Sequence, residues 1–139
     1  MTFENSKYAK QIAYKKIELP FGNFYVTKQF VISELNEGIH VDHMIAGEIV
    51  SRFSEEIRKD IKIGYIANRI NPYSFDPQLW VDFNNEYDFL VASAVVSYTD
   101  FSYLNSSIEK HFFSKSMKRC RSLGEAILWM NDLSEFNQN

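Results

Sequence analysis

The hydrophobic pattern changes its period along the chain. In the first third, apolar positions alternate with polar ones: Ile12 and Tyr14, then Ile17 and Leu19, then Phe24 to Thr27 and Phe30 to Leu35. A period of two marks strands with one buried face. Pro20-Phe21-Gly22-Asn23 and Lys28-Gln29 supply the turns between them, which predicts an antiparallel meander of three short strands. The alternation slips by one at Lys15-Lys16, which predicts a bulge or a weakly held edge strand. Residues 1–9 form a polar lead-in expected to fray, as is the tail 135–139.

After Asn36-Glu37-Gly38 the period lengthens. Ile45, Ile49, Phe53 and Ile57 recur every four residues, with Ala46 and Val50 beside them, so a helix with one apolar face is predicted. Asp42 is placed to cap its start, and Arg58-Lys59 suit the negative end of its dipole. Gly47 in mid-helix costs about 1 kcal/mol against alanine, and close packing on a sheet is the expected reason for it. Asp76-Pro77 pairs a cap with a proline in the first turn of a short helix carrying Leu79, Trp80 and Phe83. The spacing of Phe101, Leu104, Ile108 and Phe112 predicts a third helix. Ser122 and Glu125 form a capping box for a last helix running through Ala126, Ile127, Met130 and Leu133.

Between the helices lie the strands that organise the chain. Ile61, Ile63, Tyr65 and Ala67 alternate with Lys62, Gly64, Ile66 and Asn68, giving a central strand with one face buried throughout and the other towards its end. Leu90 to Val96 is almost continuously apolar, as in a strand covered on both faces, and Met117 to Arg121 is a short edge strand. Helices alternating with strands imply parallel pairing through crossovers. The expected fold is therefore α/β, a single mixed sheet with an antiparallel N-terminal meander followed by alternating helices and strands. One domain over residues 1–139 is expected, with no repeat or linker.

In open parallel sheets, ligands sit beyond the carboxyl ends of the strands. Here that place is the corner Asn68-Arg69-Ile70-Asn71-Pro72, with Tyr73 beyond it and Tyr98 at the end of the next buried strand. Asn68, Arg69, Asn71, Tyr73 and Tyr98 are accordingly the candidate binding residues. Arg69 leads them, because a guanidinium offers fork-shaped hydrogen bonding to anions. Its replacement by alanine is expected to weaken binding without unfolding the chain.

Composition narrows the chemistry. The chain is 45% hydrophobic and 16% aromatic with net charge -3, enough for a packed core and no reason to invoke nucleic acid. Lys110, Lys115, Lys118, Arg119 and Arg121 are concentrated together, but without interleaved aromatic reading strands they suit a solvated face. One cysteine, Cys120, excludes an internal disulfide and a thiolate zinc site. The polar start and the lack of about 20 successive apolar residues point to a cytoplasmic protein without a membrane span.

Candidate reactive groups are sparse. Glu37, His40, Asp42 and His43 come nearest to a metal cluster, but His40 precedes the helix and Asp42 is better used as a cap. His43 lacks a nucleophile motif nearby. Cys120 lies between two arginines that would favour a thiolate, yet strand alternation turns it away from both and into the core. Ser93, Ser97 and Thr99 have no glycine elbow, and the glycines make no phosphate loop. No cofactor and no metal are expected, and the chain is not expected to be an enzyme.

The order of elements, with Ile63-Gly64-Tyr65-Ile66-Ala67-Asn68-Arg69-Ile70-Asn71 and Ala94-Val95-Val96-Ser97-Tyr98 as two central strands, resembles the STAS fold of anti-sigma-factor antagonists (SpoIIAA-like), and small bacterial STAS-like proteins in particular. In the antagonists a serine at the start of the helix after the central strand is phosphorylated. The matching corner here has no serine, and the next one, Ser74, lacks the flanking aspartate and glycine. What the resemblance implies is a non-enzymatic regulatory or interaction module that binds a protein or small anionic ligand at the corner. A small-molecule or lipid carrier, holding its ligand between sheet and helices, is the alternative. Homodimerisation through an exposed edge of the meander is a further expectation.

Overall fold

The computed structural model describes residues 1–54 and 62–137. The meander forms β1 (Lys15–Leu19), β2 (Gly22–Val26) and β3 (Phe30–Leu35), all antiparallel. β5 (Ile63–Arg69), β7 (Leu90–Ser97) and β8 (Ser116–Cys120) continue the same sheet in parallel, in the order β1-β2-β3-β5-β7-β8. The protein is thus α/β with one mixed principal sheet. A second, two-stranded parallel sheet, β4 (His40–Val41) with β6 (Ser74–Phe75), accompanies it. That pairing ties the loop before the first long helix to the loop after the central strand, two segments whose two-residue strands carry no periodic signal.

The crossovers are α2 (His43–Ser54), α3 (Gln78–Glu86) and α4 (Asp100–Phe112). Apolar residues of α2 and α3, including Ile49, Phe53, Leu79 and Trp80, pack with Val31, Ile63 and Val95 on one face of the sheet. On the other face α5 (Leu123–Asn131) sets Leu123, Ala126, Ile127 and Met130 against Ile32, Ile66, Ala94 and Val96. Short turns α1 (Tyr8–Gln11) and α6 (Ser134–Asn137) lie near the ends. β5 is buried on both faces, as expected, and burial of the second face begins already at Gly64. The expected Ile61 of this strand, and Ile57 and Arg58-Lys59 of the helix before it, lie outside the described residues.

The expected caps are present. Asp42 Oδ1 accepts from Ile45 N at 3.0 Å, and Asp76 Oδ1 accepts from Gln78 N at 3.0 Å. Ser122 Oγ accepts from Glu125 N at 3.1 Å, while the Glu125 carboxylate reaches one residue beyond the usual capping box, to Arg121 N at 2.8 Å.

Two expectations about the first third are corrected. β1 is an edge strand, one of the two alternatives, and its register on β2 runs unbroken from Lys15↔Val26 to Leu19↔Gly22, so there is no bulge at Lys15-Lys16. The slip arises because Tyr14 precedes the strand and packs edge-on against Phe3, with ring centroids 4.9 Å apart. The sheet's irregularity lies instead between Ile63 and Gly64. Nor is the lead-in loose: Phe3 is fully buried, and its amide donates to Glu34 Oε2 at 2.7 Å.

The two interior glycines have opposite roles. Gly47 is exposed and nothing lies within 4 Å of where a Cβ would sit, so the expected close packing is not its reason. A Cβ on Gly64 would lie 2.5 Å from Met130 Sδ and 3.3 Å from Phe136 Cζ, so this glycine lets the last helices close on the central strand. Gly47→Ala is therefore expected to stabilise the fold by about 0.5–1 kcal/mol. Gly64→Ala is expected to destabilise it by about 1–3 kcal/mol through overpacking. Chemical denaturation of both variants checks the pair, and equal signs would refute the packing assignment.

Candidate functional site

The pleat of β5 sends neighbouring residues to opposite faces, so Asn68 and Arg69, adjacent in the sequence, belong to different networks. On the α5 side Asn68 is fully buried. Its Nδ2 donates to the Met1 carbonyl at 3.0 Å and to Glu34 Oε2 at 2.8 Å, and its Oδ1 accepts from the Tyr98 hydroxyl at 2.6 Å. Burial, and then the Glu34 carboxylate, raise the pKa of Tyr98. The sequence reading missed Glu34, the one charged residue of the fully buried strand β3, and a charge within that largely apolar run is the signal that could have found it.

On the opposite side the Arg69 guanidinium lies under α4. Nη1 and Nη2 donate to the two oxygens of Glu109 at 2.5 and 2.6 Å, a bidentate pair with side chains only 10% and 6% exposed. Nε donates to Tyr73 Oη at 3.1 Å, and Trp80 Nε1 donates to Glu109 Oε1 at 3.0 Å. Burial opposes the charge on Arg69, but Tyr73 and Glu109 outweigh it, and the group is held above its ordinary pKa. Arg69 is therefore not an anchor awaiting an anion: its donors are already directed to Tyr73 and Glu109. Asn71 stands apart from both networks and donates from Nδ2 to the Leu35 carbonyl at 3.1 Å. Beside it opens a polar cleft of about 380 Å³, whose walls include Glu4, Glu34 and Tyr25. Two carboxyl groups there disfavour an anionic ligand.

The largest departure concerns α4. Thr99 caps it, its Oγ1 accepting from Ser102 N at 3.1 Å, so this candidate hydroxyl is a helix cap. The helix turns its polar side inwards, burying Ser106 and Glu109. Phe101, Leu104 and Ile108, whose spacing predicts the helix, are turned outwards and are 76%, 65% and 51% exposed. The reason lies in the sheet below. Arg69 projects from β5, and Arg119 on β8 donates from Nη2 to the Tyr103 carbonyl at 2.7 Å and from Nε to Ser106 Oγ at 3.2 Å. Arg119 and Arg121 also lie 4.1 and 3.9 Å from the centre of the Tyr103 ring. A helix over the nearly buried Arg69 and the part-buried Arg119 must offer them acceptors, and that need outweighs the placement of three apolar side chains.

The remaining candidates fall into structural roles. Arg121 pairs with Asp100 at 2.7 Å, Lys115 donates to the Leu90 carbonyl at 2.7 Å and Lys118 lies 3.7 Å from Glu125, so four members of the basic cluster, Arg119 included, have partners on the chain itself. Cys120 is fully buried in the α5-side core, and burial, then Glu125, push its thiol up to about 12. Ser93 and Ser97 are buried, and their hydroxyls have no hydrogen-bond partner among the described residues. His40 Nδ1 meets Ser74 Oγ at 2.7 Å across the small sheet, and His43 faces Asp82 at 3.7 Å. Glu37, His40, Asp42 and His43 do not converge, and among the described residues no group of three His, Cys, Asp or Glu is placed to hold a metal. Among the described residues, no helix is long and apolar enough to cross a membrane.

Searches against family models, curated proteins and solved structures return no match for this chain.

The buried pair yields a direct test. Arg69→Ala strands the Glu109 carboxylate beside Trp80, so it is expected to lower stability by about 3–5 kcal/mol, in contrast to the mild effect expected of a surface anchor. Arg69→Met combined with Glu109→Leu removes both charges and is expected to recover most of that loss. Urea denaturation of the single and double variants measures it, and a loss under 1 kcal/mol in Arg69→Ala would refute the assignment.

Proposed function

We propose that the chain is a non-enzymatic regulatory or interaction module, similar to STAS domains in its order of elements, that docks a partner protein at the carboxyl ends of β5 and β7. The observation that carries this reading is the outward apolar stripe of α4, Phe101, Leu104 and Ile108, with half-exposed Tyr98 beside the same helix start. Apolar side chains grouped on one exposed helix face mark interaction surfaces in soluble proteins. The stripe sits on a rigid base, since Arg69, Arg119, Glu109 and Trp80 lock the other side of the helix. Arg69 and the acidic cleft give little support to a small anion, so the partner at this corner is a protein with an apolar strip of its own. The non-enzymatic reading is supported by the positions of the candidate nucleophiles. Cys120, Ser93 and Ser97 are buried, and Ser74 with His40 has no carboxylate partner among the described residues.

The test compares proteins retained from the native host by the unaltered chain and by Leu104→Glu. Leu104 is 65% exposed, so the variant is expected to keep its stability within about 0.5 kcal/mol and to lose the retained partner. Retention unchanged in Leu104→Glu would overturn the reading.

The carrier alternative draws on one observation. An apolar cavity of about 60 Å³ lies between the sheet and helices α2 and α3, bordered by Val31, Ile49, Phe53, Tyr65, Phe83 and Leu90 among others. It is smaller than the ~150 Å³ that accepts benzene in an engineered core. A ligand of a few carbon atoms fits it better than a lipid tail. On this alternative, native mass spectrometry of gently purified protein shows a bound apolar compound, and a bare mass counts against it.

A further inference from the structure

We infer that the apolar stripe of α4 is covered by a second copy of the same stripe, in an antiparallel, two-fold-symmetric helix pair. The inference rests on the reading that this stripe is the working surface of the module, and names its occupant when no other partner is bound.

The pattern of α4 is self-complementary. At about 100° per residue, Phe101, Leu104 and Ile108 fall within an arc of about 60°. The helix spans Asp100–Phe112, so its midpoint is Ser106, and Leu104 and Ile108 lie equally far on either side of it. A two-fold axis through that midpoint sets Leu104 against the second copy's Ile108, and the reverse, as an isologous contact requires. Asp100 and His111 both lie on one flank of the stripe, at opposite ends of the helix. The same axis keeps each flank on its own side and brings Asp100 within about one residue's rise, ~1.5 Å along the axis, of the second copy's His111. Asp100 is 87% exposed although Arg121 holds one of its oxygens, and His111 is exposed. The carboxylate is thus placed to accept from the imidazole, twice per pair. A parallel pair would instead put the two copies of this flank on opposite sides, leaving Asp100 away from the second copy's His111.

Other surfaces are less suited. The outer edge of β1, expected from the sequence to mediate dimerisation, carries Lys15, Lys16 and Glu18, and charge on an edge strand discourages edge-to-edge pairing. Lys16 is also held by Glu4 at 2.8 Å. Met44 on α2 and Leu128 on α5 are exposed, but each stands apart from the α4 group. One 13-residue helix against another covers less than the ~800 Å² per partner of a standard stable interface. The pair is therefore weak and reversible, and a partner protein on the same stripe competes with it.

The experiment is sedimentation velocity on the full chain from about 1 µM to about 300 µM, a range that brackets micromolar dissociation constants. The unaltered chain is expected to move from monomer to dimer within that range. Leu104→Glu is expected to remain monomeric throughout, and Leu128→Glu, an equally exposed leucine on α5, to dimerise normally. Asp100→Lys is expected to weaken the dimer at least tenfold by setting an ammonium against His111, and Asp100→Lys with His111→Asp to restore it, which a parallel or unrelated interface does not do. A chain monomeric at every concentration, or a dimer indifferent to Leu104→Glu, overturns the inference. The interaction-module reading is judged separately: a monomeric chain whose retained partner is lost in Leu104→Glu ends the self-pairing and leaves that reading standing.

Discussion

The bidentate pair between Arg69 and Glu109 is the constraint on which the carboxyl end of this sheet depends. A guanidinium at the end of a central strand, beneath a helix, cannot keep its hydration, and without a partner its burial would cost several kcal/mol. Glu109 supplies that partner from a helix forty residues further on, and Trp80 donates to the same carboxylate from a third element. β5, α3 and α4 are thereby fixed through one group, and Tyr73 adds the loop after the strand. Arg119 repeats the logic one turn nearer the helix start, on the edge strand. The rotation of α4 about its axis follows from these charges and not from its apolar side chains.

The pleat makes the other side of β5 a counterpart of this arrangement. Asn68 connects the Met1 carbonyl, Glu34 on β3 and Tyr98 after β7, so the chain's first residues are stitched to three strands of the sheet through one buried amide. Each group in the two networks finds its partners within the chain, which leaves the corner rigid and its polar atoms occupied. A corner so saturated is suited to holding a surface in shape and poorly suited to capturing small ligands from water. What Arg69 does here is hold α4 in place through Glu109.

Much of the architecture was legible because strands and helices announce themselves by period and by caps. The meander, the central strand, the buried run at Leu90 to Val96 and the capping side chains Asp42, Asp76 and Ser122 all follow from local chemistry. The orientation of α4 was not legible, since a 3.6-residue period identifies an apolar face without saying what it meets. The deciding groups, Arg69 and Arg119, are forty and ten residues from Glu109, and only the sheet order brings them beneath one helix. Phe3 was hidden for a similar reason: one aromatic among polar residues has no period, and its role depends on Tyr14, Tyr25 and Glu34. The candidate corner lies at the carboxyl end of β5, beside the end of β7, but alternation on β5 splits its residues between two faces.

The outward stripe of α4 has an energetic consequence. Side chains that stay exposed add little to folding, so Phe101, Leu104 and Ile108 are not needed to hold the helix, whose inner face is fixed by charge and hydrogen bonding. Covering each of the three returns about 1–2 kcal/mol, given that none is fully exposed to begin with. The sum, roughly 3–6 kcal/mol, is comparable to the lower end of the ~4–15 kcal/mol lost in translational and rotational freedom on association. Apolar contact on this stripe alone therefore does not make a lasting complex. For a partner docked as proposed, polar groups at the rim, among them Tyr98, Asp100 and His111, would have to be matched as well, so that the rim would set which partner is accepted while the stripe kept the contact reversible.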